Sequence, residues 1–346
     1  MSKFFKIAAL AATMAAGAVQ AQPIISAETV SPGGSAYLAP SHLTEVAAKR
    51  GIANIQLVDG QVATNSILNV AEGKTDLALS PLILPFLMAN GAGPYASLGK
   101  EKGAELAQNV RLLYPYALGT FFMFAFESKG LTGWDDLKGR NVFNGPPSGA
   151  ALNNARSIIE LITGMKDGNG YTGRQVDWGQ MTAIISDGTV DAAVSPENFP
   201  SGRAIELAAA GKMRGFSMPK AAFEGEAMQK YFKAPGNAPW TMTIEAATKA
   251  MGDNWTFVSE DDTFRGMVTV GGDMVSTRMD EELAYQLTKA HLETLDELKA
   301  KAPFAANVGF GDPTLISCGP SPLKYHKGAV RAWEEMGFKI PDCLKG

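Results

Sequence analysis

The segment EGKTDLALSP at residues 72–81 has a counterpart in DGTVDAAVSP at residues 187–196. Each begins with an acid and a glycine, has an aspartate three residues after that glycine, and runs through a short apolar stretch into Ser-Pro. This order is typical of a helix end, a turn and a buried strand that stops at the edge of a cleft. The echo predicts two halves of similar topology, the alternative being a coincidence of common turn chemistry.

A second pair of matching segments lies upstream of the first. SPGGS at 31–35 and NGPPSG at 144–149 each follow a strand-like run and open a helical pattern. The periodicity predicts helices at residues 36–49, 63–71, 149–163 and 181–186, and strands at residues 55–58, 77–79, 141–143 and 192–194. Such alternation indicates a doubly wound α/β fold.

Two stretches are candidates for the connections between the halves. Residues 110–126 form a long apolar run, interrupted by Pro115 and Gly119, that can leave one lobe and enter the other. The Pro- and Gly-rich stretch at 235–240 is the predicted return. The expected division is a lobe I of residues 22–118 and 240–346, and a lobe II of residues 119–239.

One long helix is predicted late in the chain. Asp280 can cap it, and its apolar stripe over residues 281–301 includes His291. A packed, hydrogen-bonded core histidine explains that position better than a ligand role.

Composition excludes several classes of function. The 346 residues carry a formal charge of −4, so the chain has no basic excess to neutralise a nucleic-acid backbone. Two cysteines and three histidines are too few for a zinc cluster of the CxxC type. The sequence has neither a P-loop nor a GxGxxG motif, which disfavours nucleotide cofactors. We therefore expect no cofactor and no metal.

The first 21 residues have the pattern of a cleaved secretory signal. Lys3 and Lys6 precede an alanine-rich apolar run at 7–19, and Ala-Val-Gln-Ala follows at 18–21. The run is shorter than the roughly 20 residues of a bilayer span, so a membrane anchor is the weaker alternative. The expected product is an exported, periplasmic protein of residues 22–346.

The two cysteines, Cys318 and Cys343, lie near the C-terminus. In an oxidising compartment we expect them to form a disulfide, the alternative being two buried free thiols. Closing a loop of this length would stabilise the tail by roughly 3 kcal/mol in the chain-entropy treatment.

The two serine-containing loops are the candidate ligand site. Helix N-termini at the carboxyl ends of strands present unpaired N–H groups and partial positive charge. We expect a carboxylate or phosphate to lie between Gly33, Gly34 and Ser35 on one side and Ser148 and Gly149 on the other. The alternative is that each serine only caps its helix.

The ends of the echoed strands add further candidates. Ser80, Ser195, Glu197 and Asn198 follow the apolar runs and can face the same cleft. Glu197 can accept a hydrogen bond from a ligand ammonium group, or it is an exposed loop acid. Catalysis finds little support, since the three histidines have no GxSxG or triad-like context.

These segments resemble the TAXI-type solute-binding subunits of tripartite ATP-independent periplasmic (TRAP) transporters, over nearly the whole mature length. The matching positions are GGSAY at 33–37, Asn65 ahead of EGKTDLA at 72–78, NG at 90–91 before 111–115, DLKGRNV at 136–142, PSG at 147–149, DG at 187–188 with DAA at 191–193, LTKA at 287–290, PLKYHKGA at 322–329 and EMG at 335–337.

The resemblance implies a two-lobed periplasmic-binding-protein fold of type II-like α/β architecture that closes on an organic acid or amino acid. It also implies delivery of that ligand to TRAP membrane permease subunits, with uptake driven by an ion gradient and no enzymatic step. The expected ligand contacts are Gly34, Ser35, Asn65, Ser80, Ser148, Gly149, Glu197 and Asn198, with Tyr37, Tyr116 and Phe199 as walls. An exported sensor for a membrane receptor and an enzyme on the same scaffold remain the alternatives.

Two departures from the family pattern bear on the ligand. The family's Ser-Gly-Thr is here Ser148-Gly149-Ala150, so one hydroxyl that could hold an anion is missing. Glu197 stands where relatives often have an apolar or glycine-rich segment. An acid there would suit a ligand with an amino group and would repel a dicarboxylate.

Overall fold

A computed structural model describes residues 22–346, so the predicted signal peptide lies outside the described residues. The strands are β1 (Ile24–Glu28), β2 (Asn54–Val58), β3 (Leu77–Pro81), β4 (Val110–Phe126), β5 (Asn141–Phe143), β6 (Lys166–Asp167), β7 (Gly170–Arg174), β8 (Ala192–Glu197), β9 (Met213–Phe216), β10 (Asn237–Thr243), β11 (Trp255–Val258), β12 (Thr263–Ser276) and β13 (Lys324–Tyr325). The helices are α1 (Ser35–Lys49), α2 (Ala63–Glu72), α3 (Ile83–Ala89), α4 (Gly99–Ala107), α5 (Ala150–Thr163), α6 (Met181–Ser186), α7 (Gly202–Ala210), α8 (Lys220–Glu224), α9 (Glu226–Tyr231), α10 (Ile244–Met251), α11 (Glu281–Glu293), α12 (Leu295–Ala300) and α13 (Lys327–Glu335). Within residues 22–346, no helix combines the length and apolar character that a bilayer crossing requires.

The strand order repeats in the two halves of the molecule. The sheet runs β2-β1-β3-β12-β4-β8-β5-β7-β6. On one side β2, β1 and β3 are parallel and β3 pairs antiparallel with β12; on the other, β7, β5 and β8 are parallel and β8 pairs antiparallel with β4. The two long strands pair with each other at the centre. The predicted α/β class and the type II-like two-lobed layout are confirmed.

The echoed sequence segments occupy equivalent places in the two halves. Gly73 follows α2 with φ of 73°, and Gly188 follows α6 with φ of 81°, the left-handed conformation that ends a helix most easily at glycine. The strands β3 and β8 come next. Ser80 lies opposite Gly272 of β12, and Ser195 lies opposite Phe122 of β4.

Buried apolar residues form three clusters that separate into two lobes. The first cluster takes residues from 25–116 and 270–344, and this part of the molecule is called lobe I. The second and third take residues from 121–267, which are called lobe II. Along β4, residues 121, 123 and 125 belong to the second cluster, whereas 122 and 124 belong to the third. Because neighbouring strand residues face opposite sides of a sheet, lobe II has apolar packing on both faces.

The chain passes from lobe I to lobe II within β4, between Tyr116 and Phe121, and returns within β12, between Met267 and Val270. The stretch at 235–240 enters β10, which pairs along β12 from Asn237 to Thr243. Residues 244–264 still contribute to the third cluster. We therefore propose that lobe II extends to about residue 268 instead of ending at 239.

The single helix predicted over residues 281–301 is wrong. Asp280 does cap α11 by accepting from Leu283 N–H at 3.0 Å, but the helix stops at Glu293 and α12 begins at Leu295. Thr294 lies between them, and its hydroxyl donates to the Ala290 carbonyl at 2.7 Å. Thr294 has a φ of −114° and a ψ of 20°, outside the helical range, and its N–H bonds to the His291 carbonyl at 3.2 Å, so the α-helical hydrogen bonding is interrupted there.

The C-terminal tail is held against lobe I. Cys318 and Cys343 are joined by a disulfide, with their Cα atoms 6.0 Å apart. Leu344 is buried in the first cluster. The short strand β13 pairs parallel with the start of β4. The tail therefore supports the lobe I end of the long crossing strand.

Candidate functional site

A cleft lies between the two lobes. The space within it, together with open solvent at its mouth, is about 1080 Å³. Leu118 and Phe121 of β4 and Val270 of β12 form its floor, at the positions where the chain crosses between lobes. The first turns of α1 and α2 bound it on the lobe I side, and the first turn of α5 bounds it on the lobe II side. A ligand in this cleft contacts both lobes.

Three helices direct their first N–H groups at the cleft. Ala36 of α1, Ala63 and Thr64 of α2, and Ala150 and Ala151 of α5 line it. These N–H groups have no acceptor among residues 22–346, and none of the three N-cap residues makes a side-chain capping bond. Unpaired N–H groups at a helix start carry partial positive charge. The cleft thus presents hydrogen-bond donors from both lobes.

Gly149 brings the α5 start close to the α2 start across the cleft. Its φ of 104° lies in the region that favours glycine. A Cβ at Gly149 would lie 2.9 Å from Thr64 Oγ1, closer than ordinary van der Waals contact. Glycine therefore permits both the backbone turn and the approach of the two lobes.

Among the described residues that line the cleft, Arg203 is the one cation. It lies in the first turn of α7, and its side chain is 14 % exposed. Its guanidinium lies over the Trp178 ring at 5.1 Å. Nε donates to Glu197 Oε1 at 3.1 Å and Nη2 to Glu197 Oε2 at 3.4 Å, whereas Nη1 has no hydrogen-bond partner among residues 22–346. Arg203 is held in place from one side and keeps one amino group for a ligand.

Glu197 is enclosed behind this arginine. Its side chain is 1 % exposed and does not line the cleft. Besides Arg203, the hydroxyls of Ser195 and Ser201 donate to its two oxygens. These bonds use the roughly four lone-pair positions of a carboxylate. Glu197 is therefore not the exposed loop acid that the sequence allowed. It is also not placed to bind a ligand ammonium group, because its oxygens already accept hydrogen bonds from the protein.

Two hydrogen bonds join the lobes beside the cleft. The Ser35 N–H donates to Asn198 Oδ1 at 3.1 Å, and the Gly202 N–H donates to the Gly33 carbonyl at 3.0 Å. A Cβ at Gly34 would lie 3.1 Å from Asn198 Oδ1. The loop at 33–35 therefore lies tightly against the loop at 198–202.

A family model described as NMT1-like matches residues 28–337. The chain belongs to the NMT1-like family. None of the curated proteins matches it.

Solved structures similar to this NMT1-like protein share low sequence identity with it. A periplasmic sulfonate-binding protein SsuA from Methylobacillus flagellatus is 15% identical, with 94% of this chain and 98% of that chain covered and a TM-score of 0.49. DctP7 of Bordetella pertussis, a receptor binding pyroglutamic acid, is 12% identical, with coverages of 90% and 92% and a TM-score of 0.44. A TRAP solute-binding protein from Desulfovibrio salexigens in complex with diglycerolphosphate is 13% identical, with coverages of 94% and 93% and a TM-score of 0.45.

Of the residues expected from the sequence to contact a ligand, the NMT1-like protein places Gly34, Ser148 and Gly149 in the cleft lining. Ser35 is fully buried, and its hydroxyl donates to the Ala117 carbonyl at 2.7 Å. That bond ties the α1 start to the crossing strand β4. The hydroxyl therefore acts within the protein, and the loop reaches the cleft through its backbone.

The remaining expected residues lie outside the cleft lining. Four of them are buried and contact other parts of the protein. The Ser80 hydroxyl donates to the Pro81 carbonyl, and the Tyr116 hydroxyl donates to Asp273. Asn198 accepts from the Ser35 N–H, and the Phe199 ring lies 5.3 Å from the Phe122 ring and 5.0 Å from the Trp240 ring. Two others, Tyr37 and Asn65, are half-buried and exposed respectively, and neither lines the cleft. Tyr116 and Phe199 pack in the cores of lobe I and lobe II respectively, and neither forms a wall of the cleft.

Sequence reasoning missed several polar residues that do line the cleft. Thr64 is the second residue of α2, and Asn154 accepts from the Tyr231 hydroxyl at 2.7 Å through Oδ1 and leaves Nδ2 for the cleft. Arg203 was detectable as the one basic residue in the first turn of the helix that follows the second echo. Among the described residues, no group of three or more His, Cys, Asp or Glu side chains is placed to hold a metal.

A buried polar group lies under the lobe I side of the site. Asp273 of β12 accepts from the Tyr114 hydroxyl at 2.7 Å and the Tyr116 hydroxyl at 2.6 Å. Burial raises the pKa of this carboxyl to about 6, even though the two hydroxyls favour the charged form. The His291 ring stacks on Tyr114 with the ring centres 3.6 Å apart. Neither His291 nitrogen has a partner among residues 22–346, and burial lowers the pKa of His291 to about 3. His291 is thus buried as predicted but not hydrogen-bonded.

Proposed function

We propose that this NMT1-like protein is an exported solute-binding protein that closes its two lobes on a small organic anion and delivers it to a membrane permease. The observation that carries the proposal is the cleft between the lobes, into which three helices direct unpaired N–H groups. Such groups favour a negatively charged ligand over a neutral or positive one.

The distribution of these groups supports capture by closure. Ala36, Ala63 and Thr64 belong to lobe I, whereas Ala150 and Ala151 belong to lobe II. An anion that accepts hydrogen bonds from both sets binds the closed arrangement more tightly than an open one. Ligand binding then shifts the population of lobe positions towards closure, which a permease can recognise.

The transporter class of the proposal rests on the sequence. The motifs from GGSAY at 33–37 to EMG at 335–337 resemble TAXI-type subunits, so the proposed partners are TRAP membrane permease subunits and the proposed location is the periplasm. The full set of hydrogen bonds on Glu197 argues for an organic acid in place of an amino acid.

A binding screen on residues 22–346 tests the function. The protein is unfolded and refolded to remove any ligand carried from the host, and its melting temperature is measured against organic acids, amino acids, sugars and polyols. Organic acids should raise the melting temperature, because a ligand bound only by the native state stabilises it. Small-angle scattering should then show a smaller radius of gyration with the ligand present.

Four results would contradict the proposal. If no solute raises the melting temperature, the protein is not a solute-binding protein. If a solute binds but the radius of gyration does not change, the lobes do not close on it. Chemical conversion of a bound acid would favour the enzyme alternative, and a histidine-kinase gene beside this gene without a permease gene would favour the sensor.

A further inference from the structure

We infer that the cleft selects organic acids that carry one negative charge on an otherwise apolar body, and that Arg203 is the specificity-determining side chain for the acid group. This inference rests on the proposed function and narrows its ligand class. It follows from the side chains that line the cleft, from the contacts of Arg203 and from where the acidic residues lie.

Most of the cleft wall is apolar. Leu79, Leu84, Leu118, Phe121 and Val270 line its inner part. Prolines line it from both lobes, namely Pro81, Pro146, Pro196 and Pro235. A polar group of a ligand placed against such a wall loses its hydration without gaining hydrogen bonds. The wall therefore accepts a hydrocarbon body and disfavours a second charged end.

Arg203 supplies one fixed cation for one acid group. Glu197 holds its Nε and Nη2, and the indole of Trp178 supports the guanidinium plane, so the side chain has little freedom. Nη1 has no partner among residues 22–346 and can donate to an acid oxygen. A carboxylate and a sulfonate both present such oxygens. Among the described lining residues no second cation is present, so a second acid group has no matching charge.

The acids near the cleft do not offer a place for an ammonium group inside it. Glu197 is buried behind Arg203, with its oxygens already bonded. Asp177 lines the cleft but is exposed at its mouth. An α-ammonium group is attached beside the carboxylate, so it would enter with the acid group, and none of the described lining residues offers it a buried acid. Amino acids should bind more weakly than the same acids without the amine.

Titration calorimetry with a six-carbon series tests this selectivity on residues 22–346. Hexanoate, hexane-1-sulfonate, adipate and norleucine share a chain length and differ in one group. We expect hexanoate or hexane-1-sulfonate to bind at least tenfold more tightly than adipate and norleucine. The better of the two identifies the acid group as a carboxylate or a sulfonate. Adipate or norleucine binding as tightly as both monoanions overturns the inference.

Two variants test the role of Arg203 without leaving a buried charge unpaired. Arg203→Lys keeps the charge beside Glu197, and the double variant Glu197→Gln/Arg203→Gln removes both charges. Each should lower the affinity for the preferred monoanion at least tenfold. The matched control is Glu127→Gln/Arg214→Gln, which removes another part-buried ion pair of lobe II, with N–O distance 2.9 Å, away from the cleft. The control should bind within twofold of the parent, and melting temperatures report folding of all variants.

The outcomes separate this inference from the proposed function. Unchanged affinity in both Arg203 variants overturns the role of Arg203. If none of the six-carbon acids binds while another solute stabilises and closes the protein, the ligand class is wrong and the proposed function stands. If no solute binds at all, both fail.

Discussion

The Asn198 side-chain oxygen accepts a hydrogen bond from the Ser35 backbone N–H at 3.1 Å, across the boundary between the two lobes. Ser35 begins α1, one of the helices that face the cleft, and Asn198 follows the strand that ends at Glu197. One N–H group at the start of α1 therefore holds the two lobes together, and in the proposed function the neighbouring N–H groups bind the ligand. In the proposed function, closure would depend on contacts between the lobes as well as on contacts with the ligand.

Removing this bond should weaken ligand binding through the lobe equilibrium. Asn198→Ala loses one hydrogen bond across the lobes, worth about 1 kcal/mol, which is roughly a fivefold loss of affinity. The unliganded variant should also have a larger radius of gyration. Asn254→Ala is the control, because it removes a side chain to backbone bond within lobe II. Equal effects of the two variants on affinity would show that the Asn198 bond plays no part in closure.

Alanine at Gly149 should affect ligand binding more than alanine at Gly164. Both glycines flank α5 with positive φ, 104° and 74° respectively, so each substitution should cost about 1–3 kcal/mol of stability from backbone strain, with Gly149 at the upper end because its ψ is −173°. A Cβ at Gly149 would also meet Thr64 Oγ1 of the other lobe at 2.9 Å, whereas a Cβ at Gly164 meets nothing within 4 Å. Calorimetry should show a loss of affinity for Gly149→Ala alone. Parallel losses in both variants would attribute the effect to α5 stability.

His291 should make the native state less stable in acid. The unfolded histidine takes up a proton near its ordinary pKa of about 6.5, whereas the native pKa is lowered to about 3 by burial. The unfolded chain thus binds more protons as the pH falls through this window, and stability falls with it. Between pH 6.5 and 5 the loss relative to His291→Phe should be about 2 kcal/mol. Denaturant unfolding of both proteins at several pH values measures it, and parallel curves would refute the assignment.

Asp273 should have the opposite pH dependence. Its native pKa is raised to about 6, so the native carboxyl keeps its proton between that value and the unfolded pKa of 3.8. The native state binds more protons in this window, and stability falls as the pH rises from about 4 to 6. Relative to Asp273→Asn, the parent should lose about 2 kcal/mol over this range. Asp262→Asn, at an exposed position, is the control and should follow the parent. A difference between parent and Asp273→Asn that does not change with pH would contradict the shift.

The local pattern of the sequence determined the elements that build the cleft. The apolar run at 110–126 is one strand, and the helix predicted at 181–186 and the strand predicted at 141–143 have the bounds found in the structure. Glycine turn chemistry predicted where two helices stop: α6 ends at the predicted Ser186, and α2 ends at Glu72, one residue beyond the prediction. These features depend on neighbours a few residues apart, on side-chain periodicity and on the conformations that glycine allows. The break at Thr294 was missed because it is a change of backbone conformation at one residue that leaves the apolar periodicity of the sequence intact.

Tertiary structure alone decided which polar groups face the cleft. Ser35 and Ser148 open equivalent helices, yet Ser35 turns its hydroxyl to Ala117 of the crossing strand, whereas Ser148 stays exposed at the cleft. Glu197 is an acid that pattern reasoning placed towards the ligand, and packing turned it to Arg203 and two serines. A buried charge must find its counter-charge and hydrogen bonds among whatever residues the fold brings near. The sequence by itself determined the two lobes and the helix starts between them, because both follow from local periodicity and capping. The charge of the cleft was decided by the fold, because pairing of Glu197 with Arg203 depends on distances that no sequence spacing specifies.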